Sequence, residues 1–221
     1  MSRPRVLVID AGLGNIGSVL AALQRHDCLV ERAQQPLCAD DTACLTHVVL
    51  PGVGAFAAGM EALRTSGWHS WILGHWCQRD LPFLGICLGM QLLASEGSEG
   101  APVDGWVPGL NLIPGRVQRL VDDSGLILPH VGWNAVHWHE SAGDLAIGLP
   151  DAGDMYFVHS FAFQTFDMAH ALAESVYGLP FTAAVGKGLC YGVQFHPEKS
   201  QKLGRNLLAN FLTLKSCLSA A

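Results

Sequence analysis

Apolar residues along this chain fall first into short runs and then into helix-spaced stripes, and the alternation repeats through the first half. Arg5–Asp10, His47–Leu50 and Pro82–Ile86 are runs rich in Val, Leu and Ile that end in glycine or turn residues, the pattern of buried strands. Between them, residues 16–25 carry apolar side chains at 16, 19, 20 and 23, and residues 60–77 read as a second helix. Strands that are apolar on both faces suit a parallel sheet covered on each side. Beyond Asn111 the runs are shorter and closer together, at 117–121, 134–138, 155–158, 171–177, 182–185 and 190–195, with a closing helix at 203–214. The pattern predicts an α/β fold: a mostly parallel, flavodoxin-like sheet flanked by helices, with an antiparallel or mixed extension in the second half.

No repeat, low-complexity tract or linker divides the 221 residues, so one domain over 1–221 is expected. Half of the residues are hydrophobic and 14% are charged, against roughly 25% charged in an ordinary soluble domain. So few charges suggest that part of the surface rests on a partner. Lys and Arg total 13 against 19 Asp and Glu, and no basic stripe is present to neutralise a phosphate backbone, which excludes nucleic acid as the expected partner. The first apolar run is too short for a signal or a membrane span, so a cytoplasmic protein with no membrane association is expected. Seven scattered cysteines without a C-x-x-C pair argue against a disulfide scaffold and a zinc site. Neither metal nor cofactor is implied.

Residues 12–17 spell G-x-G-x-x-G after the first strand, with Glu31 near the position of the acidic residue of a dinucleotide site. The match is weak, and a plain strand-to-helix turn explains the same glycines. A sharper signal is Gly85-Ile-Cys87-Leu-Gly89 between an apolar strand and a helix. This is the layout of a nucleophile elbow with cysteine in place of serine. At a helix N-terminus the free N–H groups and the macrodipole favour the attacking thiolate. A base with an orienting carboxylate is offered by His196-Pro-Glu198 at the end of another strand, where an extended backbone would send both side chains to one side. Pro51-Gly52-Val53-Gly54 follows a third strand. The N–H of Val53, together with that of Leu88, is a candidate oxyanion hole.

These motifs resemble those of the class I glutamine amidotransferases, whose triad is the cysteine of G-x-C-x-G with the histidine and glutamate of H-P-E. Within them the chain looks like the glutaminase subunits of imidazole glycerol phosphate synthases. The likeness to these subunits rests on residues 129–134 (P-H-V-G-W-N), 156–160 (Y-F-V-H-S) and the lysine after H-P-E. The resemblance implies Cys87 as nucleophile, His196 as base and acid, and Glu198 as the orienting group. It assigns Val53 and Leu88 to the oxyanion hole. Gly52, Gly54, Gln91, Tyr156 and Ser160 would hold L-glutamine, and Asn15, Trp133 and Lys199 would face a separate (β/α)8 barrel cyclase subunit that receives ammonia. Ala11 and Phe161 stand where the family often has tyrosine, away from the triad. A paralogous glutaminase serving another synthase, or a catalytically silent subunit of the same fold, is the competing reading. The intact Cys87, His196 and Glu198 set speaks against silence.

Overall fold

The computed structural model describes residues 3–14, 16–38, 42–103, 105–120, 125 and 127–215. The first half runs β1 (Arg5–Ile9), α1 (Gly17–Leu23), β2 (Leu29–Ala33), β3 (His47–Gly52), α2 (Phe56–Thr65), α3 (Trp68–Trp71), α4 (Cys77–Arg79), β4 (Phe83–Cys87) and α5 (Leu88–Gln91). The second half adds β5 (Glu96–Gly97), β6 (Val107–Pro108), β7 (Gly115–Arg119), β8 (His130–Trp138), β9 (Ala152–His159) and β10 (Phe161–Thr165). It closes with β11 (Ala171–Tyr177), β12 (Leu179–Lys187), β13 (Cys190–Val193) and α6 (Gln201–Thr213).

Strands β2, β1, β3, β4 and β13 lie side by side in that order, all parallel. From β13 the sheet continues through antiparallel β12, β10 and β7, and a branch of β11, β8 and β9 leaves β12, also antiparallel. The parallel half and the mixed extension therefore fall where the hydrophobic pattern puts them. Alternate residues of β1 enter different cores: Val6 and Val8 pack with Val19 of α1 and Leu208 and Phe211 of α6, while Leu7 and Ile9 pack with Phe56 and Met60 of α2. Both faces of the parallel sheet are thus dry. Among the described residues, no helix is long and apolar enough to cross a membrane.

The expected helix over 60–77 is not continuous. Helix α2 starts earlier, at Phe56, whose N–H donates to the Glu99 carboxylate at 2.9 Å, a distant side chain acting as the cap. It stops where Gly67 takes a φ of 82°, and a π-helical turn over Ile72–Trp76 separates α3 from α4. The apolar pattern alone missed β2, β5, β6 and β10. In β2 only the final Ala33 is buried, and β10 follows β9 after the single residue Ser160, so neither shows a separate apolar run. Three of the described cysteines, Cys38, Cys44 and Cys77, are exposed and three, Cys28, Cys87 and Cys190, are buried, and none of these six is in a disulfide. Cys217 lies outside the described residues.

The sheet and α5 approach most closely at Gly89, where an added Cβ would overlap the carbonyl oxygen of Leu50 in β3. Two buried backbones cannot separate without moving β3, so Gly89→Ala is expected to lose stability by about 3 kcal/mol or more. Gly74→Ala, where nothing lies within 4 Å, is expected to stay within about 0.5 kcal/mol. Urea unfolding of both variants checks the contrast.

Candidate active site

All the candidate catalytic groups follow the carboxyl ends of parallel strands, the edge where open α/β sheets bind ligands. Cys87 ends β4 and takes φ 55°, ψ −111°, a conformation that a non-glycine residue holds only under strain. The turn is possible because Gly85 and Gly89 meet backbone to backbone: a Cβ on Gly85 would press on the Gly89 carbonyl. Leu88 is the first residue of α5, where helix geometry gives its N–H no intrahelical acceptor.

His196 lies just past β13, the other neighbour of β4. Its N–H donates to the Tyr156 carbonyl at 2.9 Å, and its own carbonyl accepts from Ser200 Oγ at 2.7 Å. Glu198 Oε1 lies 2.9 Å from His196 Nδ1, with both side chains almost fully buried. His196 itself is extended as expected, with φ −99° and ψ 95°, but the chain does not stay extended beyond it. Pro197–Lys199 forms a 3₁₀ turn, and the turn folds the carboxylate back onto the ring. Burial works against the charged imidazole, but hydrogen bonds to the Cys87 thiol and to Glu198 outweigh it and raise His196 to about 9. The remaining contacts of the Cys87 sulfur are Gln194 Nε2 at 3.7 Å and the Val158 carbonyl at 3.8 Å.

A cavity of about 230 Å³ opens over Cys87. Gly54, Leu88, Gln91, Ser160, His196 and Lys199 line it, which brings most of the sequence-derived site together. The Gln91 amide donates to the Phe161 carbonyl and to Gln194 Oε1, each at 3.0 Å. Gly52 is set behind the cavity against the Leu88 side chain. Tyr156 is not among the lining residues. It meets Trp133 edge-on with ring centroids 5.7 Å apart, and Lys199 Nζ sits 5.6 Å from its ring centre, so these three form a cluster at the rim. Asn15 lies outside the described residues.

Val53 lines the same cavity, but its N–H donates to the Leu13 carbonyl at 2.8 Å, so in this conformation it is not directed at Cys87. Its side chain covers Gly14, where a Cβ would overlap Val53 Cγ2. That contact, rather than a dinucleotide, accounts for the glycine. The cleft beside the turn measures only about 30 Å³, and the carboxylate bonded to the turn itself is that of Asp10. The carboxylate of Asp10 accepts from the Gly12 N–H at 3.1 Å and from Arg32 Nε at 2.7 Å. Burial acts to raise Asp10, yet the bonds from Arg32, Gly12 and Gln34 hold it below the usual carboxylate value.

Sequence reasoning missed Gln194, His159 and Glu99. Gln194 is fully buried between Val193 and Phe195, and a glutamine inside an apolar strand was the one signal for it. His159 and Glu99 line the cavity. Glu99 is the carboxylate among the lining residues, and burial pushes it up against the opposing bond from Phe56. Its glycine-rich surroundings carry no motif. Among the described residues, no cluster of three or more His, Cys, Asp or Glu is placed to hold a metal ion.

The glutamine amidotransferase class-I family model matches residues 7–214. The imidazole glycerol phosphate synthase subunit HisH 1 of Prochlorococcus marinus (strain MIT 9313) is 48% identical over 214 residues, covering 96% of this chain and 98% of that protein. The HisH subunit of Desulfitobacterium hafniense (strain Y51) is 41% identical over 204 residues, 92% of each. Among solved structures, a chain of PurLQS from Thermotoga maritima shares the fold with a TM-score of 0.69. It is 15% identical, with 96% of this chain and 98% of that one covered. Matched nearly end to end, with Cys87, His196 and Glu198 in one buried cluster, the chain belongs to the class-I glutamine amidotransferase family and, within it, to the HisH subunits of imidazole glycerol phosphate synthase.

Proposed function

We propose that this chain hydrolyses the side-chain amide of L-glutamine and passes the ammonia to a (β/α)8 barrel cyclase subunit. That subunit uses it to form imidazole glycerol phosphate and aminoimidazole carboxamide ribotide in histidine biosynthesis. The observation that carries this reading is the strained Cys87 bonded to a buried His196–Glu198 pair on the floor of an amino-acid-sized cavity.

The Cys87 thiolate, its proton resting on His196, attacks the amide carbon of glutamine, and the carbonyl electrons move onto oxygen. His196 enters the reaction already protonated and gives its proton to the departing ammonia as the tetrahedral species collapses to a glutamyl thioester. Neutral His196 then takes a proton from water, the hydroxide attacks the thioester, and glutamate leaves, its carboxyl proton passing to solvent, with the Cys87 thiolate and protonated His196 restored. Glu198 holds the ring throughout. Glu99 is placed to pair with the substrate ammonium. Gln91, Gly54 and Ser160 contact the rest of the amino acid, and Tyr156 reaches it only by moving inward from the rim. The single amidotransferase domain is taken to span 1–221, working in the cytoplasm where the pathway's substrates are made.

The Leu88 N–H supplies one oxyanion donor. The second, from Val53, requires the peptide after Gly52 to turn away from Leu13, and we assign that turn to loading of the partner. Val53 and Trp133 are each 46% exposed beside the cavity, and with Lys199 they offer the partner a face at the mouth of the site. Asn15 would join that face.

Glutamine hydrolysis is expected to be slow for the isolated chain and to rise strongly once the barrel subunit is present with its ribulosyl ligand bound. Cys87→Ala is expected to remove it by about 10⁴-fold or more. An equally active Cys87→Ala protein overturns the mechanism. Gly54 holds a φ of 111° with open space around it, so Gly54→Ala strains the turn without a clash. It is expected to lower the partner-stimulated rate at least about tenfold.

His196 is raised from 6.5 to about 9 on folding. Its proton therefore stabilises the fold fully below about pH 6.5, and that contribution fades as pH rises through about 9. The stability gap between wild type and His196→Asn is expected to be largest near pH 6, on the order of 2–3 kcal/mol, and to close toward pH 9.5. Urea unfolding at the two pH values measures it.

A further inference from the structure

Two buried histidines join the segments 129–134 and 156–160. His130 Nδ1 and His159 Nε2 lie 3.0 Å apart. The chain of contacts runs on in both directions. His159 Nδ1 is 2.9 Å from the Phe161 carbonyl, His130 Nε2 is 2.7 Å from Asn134 Oδ1, and Asn134 Nδ2 donates to the Val176 carbonyl at 2.8 Å. The Phe161 carbonyl also takes the Gln91 amide, so the chain ends on a group that shapes the glutamine cavity.

Both terminal groups are carbonyls and only accept. Four contacts therefore need four N–H donors, whereas neutral His159, neutral His130 and the Asn134 amide bring one each along this path. Changing a tautomer moves the missing proton to another link. Turning the Asn134 amide over moves it to Val176. Only a doubly protonated imidazole satisfies all four contacts at once.

The surroundings favour His130 as that ring. It stacks on Tyr177 at 4.1 Å and 16° and on Phe157 at 5.2 Å and 22°, with Phe181 edge-on at 5.9 Å, and aromatic faces attract a cation. The Tyr177 hydroxyl is turned away, donating to the Ile127 carbonyl. His159 is the poorer site: burial pushes it down to about 4, the Phe161 bond opposes this, and charge on His130 or His196 adds to the penalty.

We propose that His130 is a positioning residue for the glutamine cavity, acting as an imidazolium whose two N–H groups complete the chain from Val176 to Phe161 and Gln91. With the fourth donor present, His159 keeps its Nδ1–H on the Phe161 carbonyl, and that carbonyl stays in place to hold the Gln91 amide. Without it, one link opens. Burial draws His130 below the ordinary histidine value, against the bond from Asn134, so the proton is taken up as pH falls below neutral. Glutamine binding through this chain tightens in the same direction. Protonation of Glu99 in the cavity works the opposite way, so the comparison must be made between variants at a fixed pH.

The role in binding rests on the glutaminase reading; the proton count does not. On the full-length wild-type chain, ¹⁵N spectra of the histidine rings from pH 8 to pH 5 are expected to show both His130 nitrogens protonated at the acid end. His159 is expected to stay neutral with its proton on Nδ1. A His130 that is still neutral at pH 5 overturns the proposal. In complex with the barrel subunit, glutamine binding is then measured by calorimetry for Cys87→Ala, which cannot turn it over, and for Cys87→Ala with His130→Phe. Phenylalanine keeps the ring stack and deletes both N–H groups. The double variant is expected to bind about tenfold more weakly at pH 6, with the difference shrinking at pH 8, and His130→Lys in the same background is expected to recover part of it. Equal affinities at both pH values overturn the positioning role. Absence of glutamine binding by Cys87→Ala at every pH overturns the glutaminase reading itself, while the ring spectra still report the proton.

Discussion

The contact on which the site depends is between two backbones, Gly89 at the start of α5 and the Leu50 carbonyl in β3. Because no side chain separates them, α5 lies directly on the sheet, and the chain must leave β4 through a turn tight enough to put Cys87 at positive φ. Cys87, the proposed nucleophile, is therefore held by the sheet rather than by a loop. β3 and β13 flank β4 in parallel register, with Gly52 paired to Cys87 and Val193 to Ile86. The oxyanion turn and His196 consequently emerge on either side of the sulfur, at the same edge.

Electrostatics then fixes the order of proton movements. Burial alone would leave His196 neutral, but Cys87 and Glu198 reverse that, so in the proposed reaction the imidazole starts as an acid and becomes a base only after ammonia has taken its proton. The complementary restraint is at Val53, whose N–H is committed to Leu13. On the proposed mechanism, a protonated His196 beside Cys87 with one oxyanion donor is a site that is assembled but idle. This suits a subunit whose ammonia is wasted unless an acceptor is waiting. The side chain of Val53 lies both on Gly14 and in the exposed face, so whatever covers that face also touches the peptide that must turn.

The sequence showed its chemistry wherever the structural requirement is local. G-x-C-x-G, H-P-E and P-G-V-G are each a strand end plus a turn, and a few residues specify them. Legibility failed where the requirement is distant. Glu99 comes to the cavity because its carboxylate caps α2, more than forty positions earlier, and nothing in its neighbours announces that. The helix over 60–77 read as continuous because its apolar spacing is nearly unbroken, while one left-handed glycine and a π turn redirect it. Glu198 reached the imidazole as expected but by a 3₁₀ turn. Two residues apart, a strand and a turn can deliver the same pair, and only the backbone angles distinguish them.

The β8–β9 ladder shows why the family-specific segments travel together. Its register sets Trp133 opposite Tyr156 and His130 opposite His159. Three residues apart along the ladder, the first pair belongs to the rim that faces outward and the second is the buried imidazole pair, of which His159 lines the cavity. Side chains alternate faces along a strand, so a slip of one residue would bury the tryptophan and expose the histidine. The residues at 129–134 and 156–160 are thus a single structural unit. On the proposed function, a substitution in either segment that shifts this register would move both the outward rim and the Phe161 carbonyl that holds Gln91, coupling the surface offered to the partner to the pocket offered to glutamine.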